Sequence, residues 1–95
     1  MKYDANCYIL ELTFDVIESS VRIILTSDPE RGTRDHELLI PQIINFHAER
    51  YHEPDRVCLG DYGACSVSPI ENHWRYTVDT GDVIVTFDAV QKVEL

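Results

Sequence analysis

The stretch Ile40-Pro41-Gln42-Ile43-Ile44-Asn45-Phe46-His47-Ala48-Glu49-Arg50-Tyr51-His52 is where the chain departs from strand-like alternation. Ile40, Ile43, Ile44, His47, Ala48 and Tyr51 recur at helical spacing, and Gln42, Asn45, Glu49 and His52 fall on the opposite face. Proline is favourable in the first turn of a helix and costs ~3 kcal/mol inside one, so the expected helix starts at Pro41 and ends near His52. Glu53-Pro54-Asp55 stops it. Asp35 to Ile40 fits either a preceding helical turn or a short extended piece. On this reading the fold is α+β: one twisted antiparallel sheet of about six strands packed against one main helix, residues 41–52, in a single domain of residues 1–95.

Outward from that segment, strands are expected. Asn72 to Val90 alternates with period two on both sides of Thr80-Gly81, the strongest local signal in the chain. Trp74, Tyr76, Val78, Val83, Val85, Phe87 and Ala89 form one set; His73, Arg75, Thr77, Asp79, Asp82, Ile84, Thr86 and Asp88 form the other. A two-residue loop at Thr80-Gly81 pairs Val78 with Val83, Tyr76 with Val85 and Trp74 with Phe87. It also sets Arg75 opposite Thr86 and His73 opposite Asp88. Toward the N-terminus, residues 7–16 read as a strand with Tyr8, Leu10, Leu12, Phe14 and Val16 on one face. Val21 to Thr26 follows as its hairpin partner. Ser27 to Thr33 is a charged loop by its Asp, Pro and Gly content. Arg56 to Leu59 and Ala64 to Ser68 read as short strands around an exposed loop, Gly60-Asp61-Tyr62-Gly63. Pro69 ends the second of these or marks an edge.

Composition narrows the function. The chain has 95 residues, 44% of them hydrophobic, which suits one folded domain. Eight basic and seventeen acidic residues give a formal charge of −9. Such a field repels nucleic-acid phosphates and anionic lipids and attracts cationic surfaces, so no direct nucleic-acid or membrane partner is expected. No apolar run approaches the ~18 residues of a membrane helix, and the first residues lack the apolar segment of a signal peptide. The expected location is the cytoplasm. An odd number of cysteines, Cys7, Cys58 and Cys65, fits thiols in a reducing compartment, with a Cys58–Cys65 disulfide left open.

Catalytic and metal patterns are not found in the sequence. His47 and His52 are five apart rather than the i,i+4 of helical ligands, and Cys58 and Cys65 do not form a CxxC, so no metal or other cofactor is expected. Gly60, Gly63 and Gly81 match no phosphate-binding loop, and no serine or cysteine sits in a nucleophile motif. The chain therefore reads as a binding protein rather than an enzyme. The alternatives are a small enzyme or ligand-binding domain using His36, His47, His73 and the cysteines, and an acidic nucleic-acid mimic.

The acids are more informative. They never run consecutively but gather in loops and at the end of the expected helix. Tyr51 and Tyr62 sit among them, and Glu49, Glu53, Asp55, Asp61, Tyr62, Asp79 and Asp82 are the candidate partner-binding residues. Carboxylates pair guanidinium groups, and tyrosine adds contact area with little loss of entropy. A small acidic domain with loops such as Glu49-Arg50-Tyr51-His52-Glu53-Pro54-Asp55 and Gly60-Asp61-Tyr62-Gly63 resembles in kind the immunity proteins that neutralise bacterial contact-dependent or secreted nuclease toxins. The resemblance runs over the whole chain and rests on no specific motif. It implies a cytosolic inhibitor that binds and blocks a basic cognate toxin.

Overall fold

The computed structural model describes residue 3, residues 6–51 and residues 58–95. Among these there are eight strands: β1 (Tyr8–Asp15), β2 (Ser20–Thr26), β3 (His36–Ile40), β4 (Ile43–Arg50), β5 (Gly60–Asp61), β6 (Cys65–Ile70), β7 (His73–Asp79) and β8 (Val83–Ala89). They form two four-stranded antiparallel sheets, ordered β3-β2-β1-β5 and β4-β8-β7-β6. Apolar side chains from both sheets share one core. The described residues are mostly β with one short 3-10 turn, and the helix expected over 41–52 is not formed: residues 43–50 are strand, and residues 52–57 lie outside the described part.

The reason lies in residues 40–46. Pro41 interrupts strand pairing, and Gln42 takes a positive φ of 55°, which turns the chain out of the first sheet and into the second. A strand that changes sheet at a bend is how β-sandwiches make corners. A bulge at Ile44, between the pairs Ile43–Ala89 and Asn45–Asp88, then resets the side-chain phase. Ile43 and Phe46 thereby share the core face although they are three apart, a spacing that imitates a helix. Beyond the bulge Asn45, His47 and Glu49 alternate strictly with Phe46 and Ala48.

A second bulge corrects the expected face of β1. The pairing of β1 with β2 shifts between Ile9 and Glu11, so Leu10 is the extra residue. Cys7 and Ile9 are buried before it, and Leu12 and Phe14 pack on the core after it. The anticipated stripe from Tyr8 to Val16 is therefore broken, and Val16 is exposed in the turn. Ile24 and Thr26, on the outer face of β2, are also buried. The loop after β2 folds back there: Gly32 lies against Leu10, and the Thr26 hydroxyl bonds the Asp28 carbonyl and the Thr33 hydroxyl, both at 3.0 Å.

The C-terminal hairpin forms with its faces as expected and its register moved. The pairs are Val78–Val85, Tyr76–Phe87 and Trp74–Ala89, not Val78–Val83, Tyr76–Val85 and Trp74–Phe87. Thr80 and Val83 close the turn through their main chains, leaving Gly81-Asp82 as the loop, with Gly81 at φ +88°. A glycine with positive φ at the first loop position suits a tight hairpin turn. Moving the loop by one residue moves every partner by two, and two is the period of the faces. Tyr76 and Phe87 stack at 5.0 Å, Phe87 meets Phe46 at 6.0 Å, and Phe46 meets Phe14 of the other sheet at 4.6 Å. Phe87 is fully buried, whereas Trp74 is only partly covered, with Lys92 over its ring.

Residues 90–95 leave the sheet after Ala89. The Tyr76 hydroxyl holds them, donating to the Gln91 carbonyl at 2.7 Å and accepting the Val93 N–H at 2.6 Å. No helix among the described residues is long and apolar enough to cross a membrane.

Candidate functional site

The candidate residues divide three ways. Glu53 and Asp55 lie outside the described residues. Tyr62 does not stand in an exposed loop. Gly60 and Asp61 form the short strand β5 against β1, and Tyr62 begins a single 3-10 turn that drops its ring into the core. The Tyr62 N–H bonds the Cys7 carbonyl at 3.0 Å, and burial pushes the phenol pKa up to about 12. A side chain with no exposed surface does not contact a partner.

Glu49, Asp79 and Asp82 come together at one end of the sandwich. The Tyr51 N–H bonds the Asp82 carbonyl at 2.8 Å, which ties the end of β4 to the β7–β8 turn. Glu49 pairs across from Ile84, and Asp79 pairs with Ile84 from the other side. Gly60 packs so closely on Thr80 that an added Cβ would stand 2.8 Å from its methyl group; side chains alternate along a strand, so Asp61 faces away from that contact, on the side of Tyr8. Two stretches separated in sequence, the end of β4 and the β7–β8 turn, thus supply one acidic end.

Each acid there has a different environment. Glu49 accepts from His47 Nε2 at 2.9 Å and from the Tyr51 hydroxyl, and these bonds hold its carboxyl below the usual range. The same contact raises the Tyr51 phenol, and the Asp79 charge adds to the rise. Asp79 accepts the Gly81 N–H at 3.0 Å, shaping the turn. Asp61, outside this group, is exposed and makes no capping bond. Tyr51, 56% exposed, is the tyrosine that stands with these acids. The sequence sets both Tyr51 and Tyr62 among the acids; the structure leaves Tyr51 there and takes Tyr62 into the core.

The residues of the alternative enzymatic reading are dispersed. His36 stacks on Tyr3 at 4.3 Å, and His47 is engaged by Glu49. His73 does not face Asp88. With the register moved by two, Arg75 takes that place: its Nε and an Nη donate to the Asp88 carboxylate at 2.8 and 3.1 Å. Asn45 adds a third donor at 3.0 Å. None of the cysteines is in a disulfide. Cys65 is buried, which pushes its thiol up to about 12 and leaves little nucleophilic thiolate near neutrality. Among the described residues no group of three His, Cys, Asp or Glu side chains converges as metal ligands do. Compared with known families, curated proteins and solved structures, the chain matches none.

Proposed function

We propose that this protein is a small cytosolic inhibitor, similar in kind to bacterial immunity proteins, that binds and blocks a basic protein toxin through the acidic end of the sandwich. The observation that carries the reading is that Glu49, Asp79 and Asp82 sit together around the β7–β8 turn, with exposed Tyr51 among them. In a chain of net charge −9, that end draws a cationic surface and speeds encounter with it. Glu49 and Tyr51 brace each other, so little rotamer freedom is lost when a partner docks.

The test is a binding and protection assay against the product of the adjacent gene. Wild type is compared at two salt concentrations with a variant carrying Asp79→Asn and Asp82→Asn. Asparagine keeps the side-chain acceptor that Asp79 offers to Gly81. The variant is expected to associate more slowly and with a shallower salt dependence, while dissociation changes little. Tyr51→Ala is expected to speed dissociation. Identical binding by wild type and the double variant at both salts removes this end as the interface. Failure of wild type to bind any basic partner removes the inhibitor reading.

A further inference from the structure

β4 is an edge strand of its sheet: no strand among the described residues pairs with its second side, and at its start the Ile43 N–H bonds the Ser19 carbonyl at 2.9 Å. The other edges are blunted. β3 is five residues long and ends at Pro41, β5 has two residues, and β6 contains Pro69. β4 is eight residues long, mostly exposed, and free of proline. It carries exposed Ile44, at 51%, within the strand and is followed by exposed Tyr51, at 56%. Long open edges of this kind template strand pairing.

The direction of its main-chain groups follows from one bond. Tyr51 donates inward to Asp82, and antiparallel ladders alternate, so Asn45, His47 and Glu49 also bond toward β8. The main-chain N–H and C=O of Phe46 and Ala48 therefore point outward.

We propose that this edge pairs antiparallel with β4 of a second copy of the chain, about a two-fold axis at Ala48, joining two four-stranded sheets into one of eight strands. Three observations favour a second copy as the occupant. First, the strand is self-complementary in this register. Ala48 faces the partner's Ala48, with no bulk at the axis, and His47 faces the partner's Glu49, base against acid. Second, β4 holds one acid, Glu49, and one arginine, Arg50, so it is balanced in charge within a chain of −9. Third, antiparallel pairing sends the two acidic ends in opposite directions. Tyr51 lies opposite the partner's Asn45, so the two Tyr51 positions stand about 20 Å apart at ~3.4 Å per residue. That exceeds the Debye length of ~8 Å at physiological salt, so the acidic ends are screened from each other. The inference does not rest on the inhibitor reading, but the pairing engages Glu49 and Tyr51 of the acidic end and leaves Asp79 and Asp82 outward.

Sedimentation equilibrium of the full chain, from dilute to near-millimolar protein, tests it. Wild type is expected to shift from monomer to twice that mass, more readily as salt screens the net charge. Ala48→Pro removes an outward donor and no bond to β8, so it is expected to stay monomeric with its unfolding transition retained. His47→Glu sets like charges across the axis and is expected to weaken association at least tenfold. Adding Glu49→Lys to it restores opposite charges and is expected to restore association. If Ala48→Pro fails to fold, the charge pair decides alone. A wild type that stays monomeric throughout overturns the proposal. So does a dimer that Ala48→Pro or His47→Glu leaves unchanged.

Discussion

The ring of Phe14 on β1 lies stacked on the ring of Phe46 on β4, centroids 4.6 Å apart and planes 13° from parallel. It is a contact between sheets, and it continues through Phe87 to Tyr76 as a run of four rings. Stacked aromatic pairs contribute about 0.5–1.5 kcal/mol beyond the area they bury. A double-mutant cycle of Phe14→Leu and Phe46→Leu, read by urea unfolding, is expected to give a coupling energy in that range. Zero coupling would mean that the two sheets do not meet there.

Phe87 is the aromatic anchor of the hairpin, and Trp74 is not its partner. Phe87→Ala is expected to cost roughly 3–5 kcal/mol, a large share of the ~5–15 kcal/mol that holds a typical domain together. Trp74→Ala, at a half-covered position beneath Lys92, is expected to cost clearly less and to leave a cooperative transition. An equal loss for both would restore the Trp74–Phe87 pairing that a Thr80-Gly81 loop implies.

Asp88 makes stability depend on acid. The Arg75 hydrogen bonds hold its carboxyl below the ordinary value, and Asn45 adds to this against the cost of burial. A depressed native pKa means that the unfolded chain takes up the proton first. The stabilisation is therefore complete above about pH 4, the unfolded value for Asp, and is lost as pH falls through the lower native value. Asp88→Asn is expected to be less stable at neutral pH by about 1–3 kcal/mol, since Arg75 remains partly solvated. Its stability is expected to fall less than that of wild type between pH 5 and pH 2 (roughly the window in which native-state carboxylates titrate). Parallel curves for the two proteins would remove Asp88 from the acid response.

Gly60 joins β5 to the hairpin tip. It sits at φ +154°, and a Cβ there would meet the Thr80 methyl at 2.8 Å. Gly60→Ala is expected to destabilise by about 1–3 kcal/mol, through strain at a backbone angle that suits glycine and through the clash. Adding Thr80→Ser removes the methyl and keeps the hydroxyl that bonds Val83, so it is expected to recover part of the loss. Thermal unfolding of the three variants gives the comparison, and no recovery would place the whole cost in the backbone.

Tyr76 pins the C-terminal residues with its hydroxyl. Tyr76→Phe keeps the ring stack and deletes both bonds, at a cost of about 1–3 kcal/mol. The amide of Val93 is expected to lose its protection from hydrogen exchange, while amides within β7 and β8 keep theirs.

What the sequence determined by itself is what depends on parity and on local turn chemistry. In residues 72–90 the two faces are legible because side chains alternate with period two, and a loop displaced by one residue leaves both faces intact. The displacement follows from local turn chemistry as well: Gly81 at positive φ takes the first loop position, Asp79 accepts the Gly81 N–H, and the Thr80 hydroxyl accepts the Val83 N–H. Residues 41–50 were legible only in part. Ile43, Ile44 and Phe46 are weak helix formers and good strand formers, and Phe46 lies off the helical stripe. The corner at Gln42 and the bulge at Ile44 give the segment helical spacing while it pairs with β8, and pairing across some forty residues leaves no local mark. The acidic end follows the same rule. Glu49, Asp79 and Asp82 were visible as charges, but their meeting depends on which strands neighbour one another. Tyr62 went inward because β5 pairs with β1 and turns its ring to the core, whereas Tyr51 came outward on a strand whose bond to Asp82 carries it to the tip.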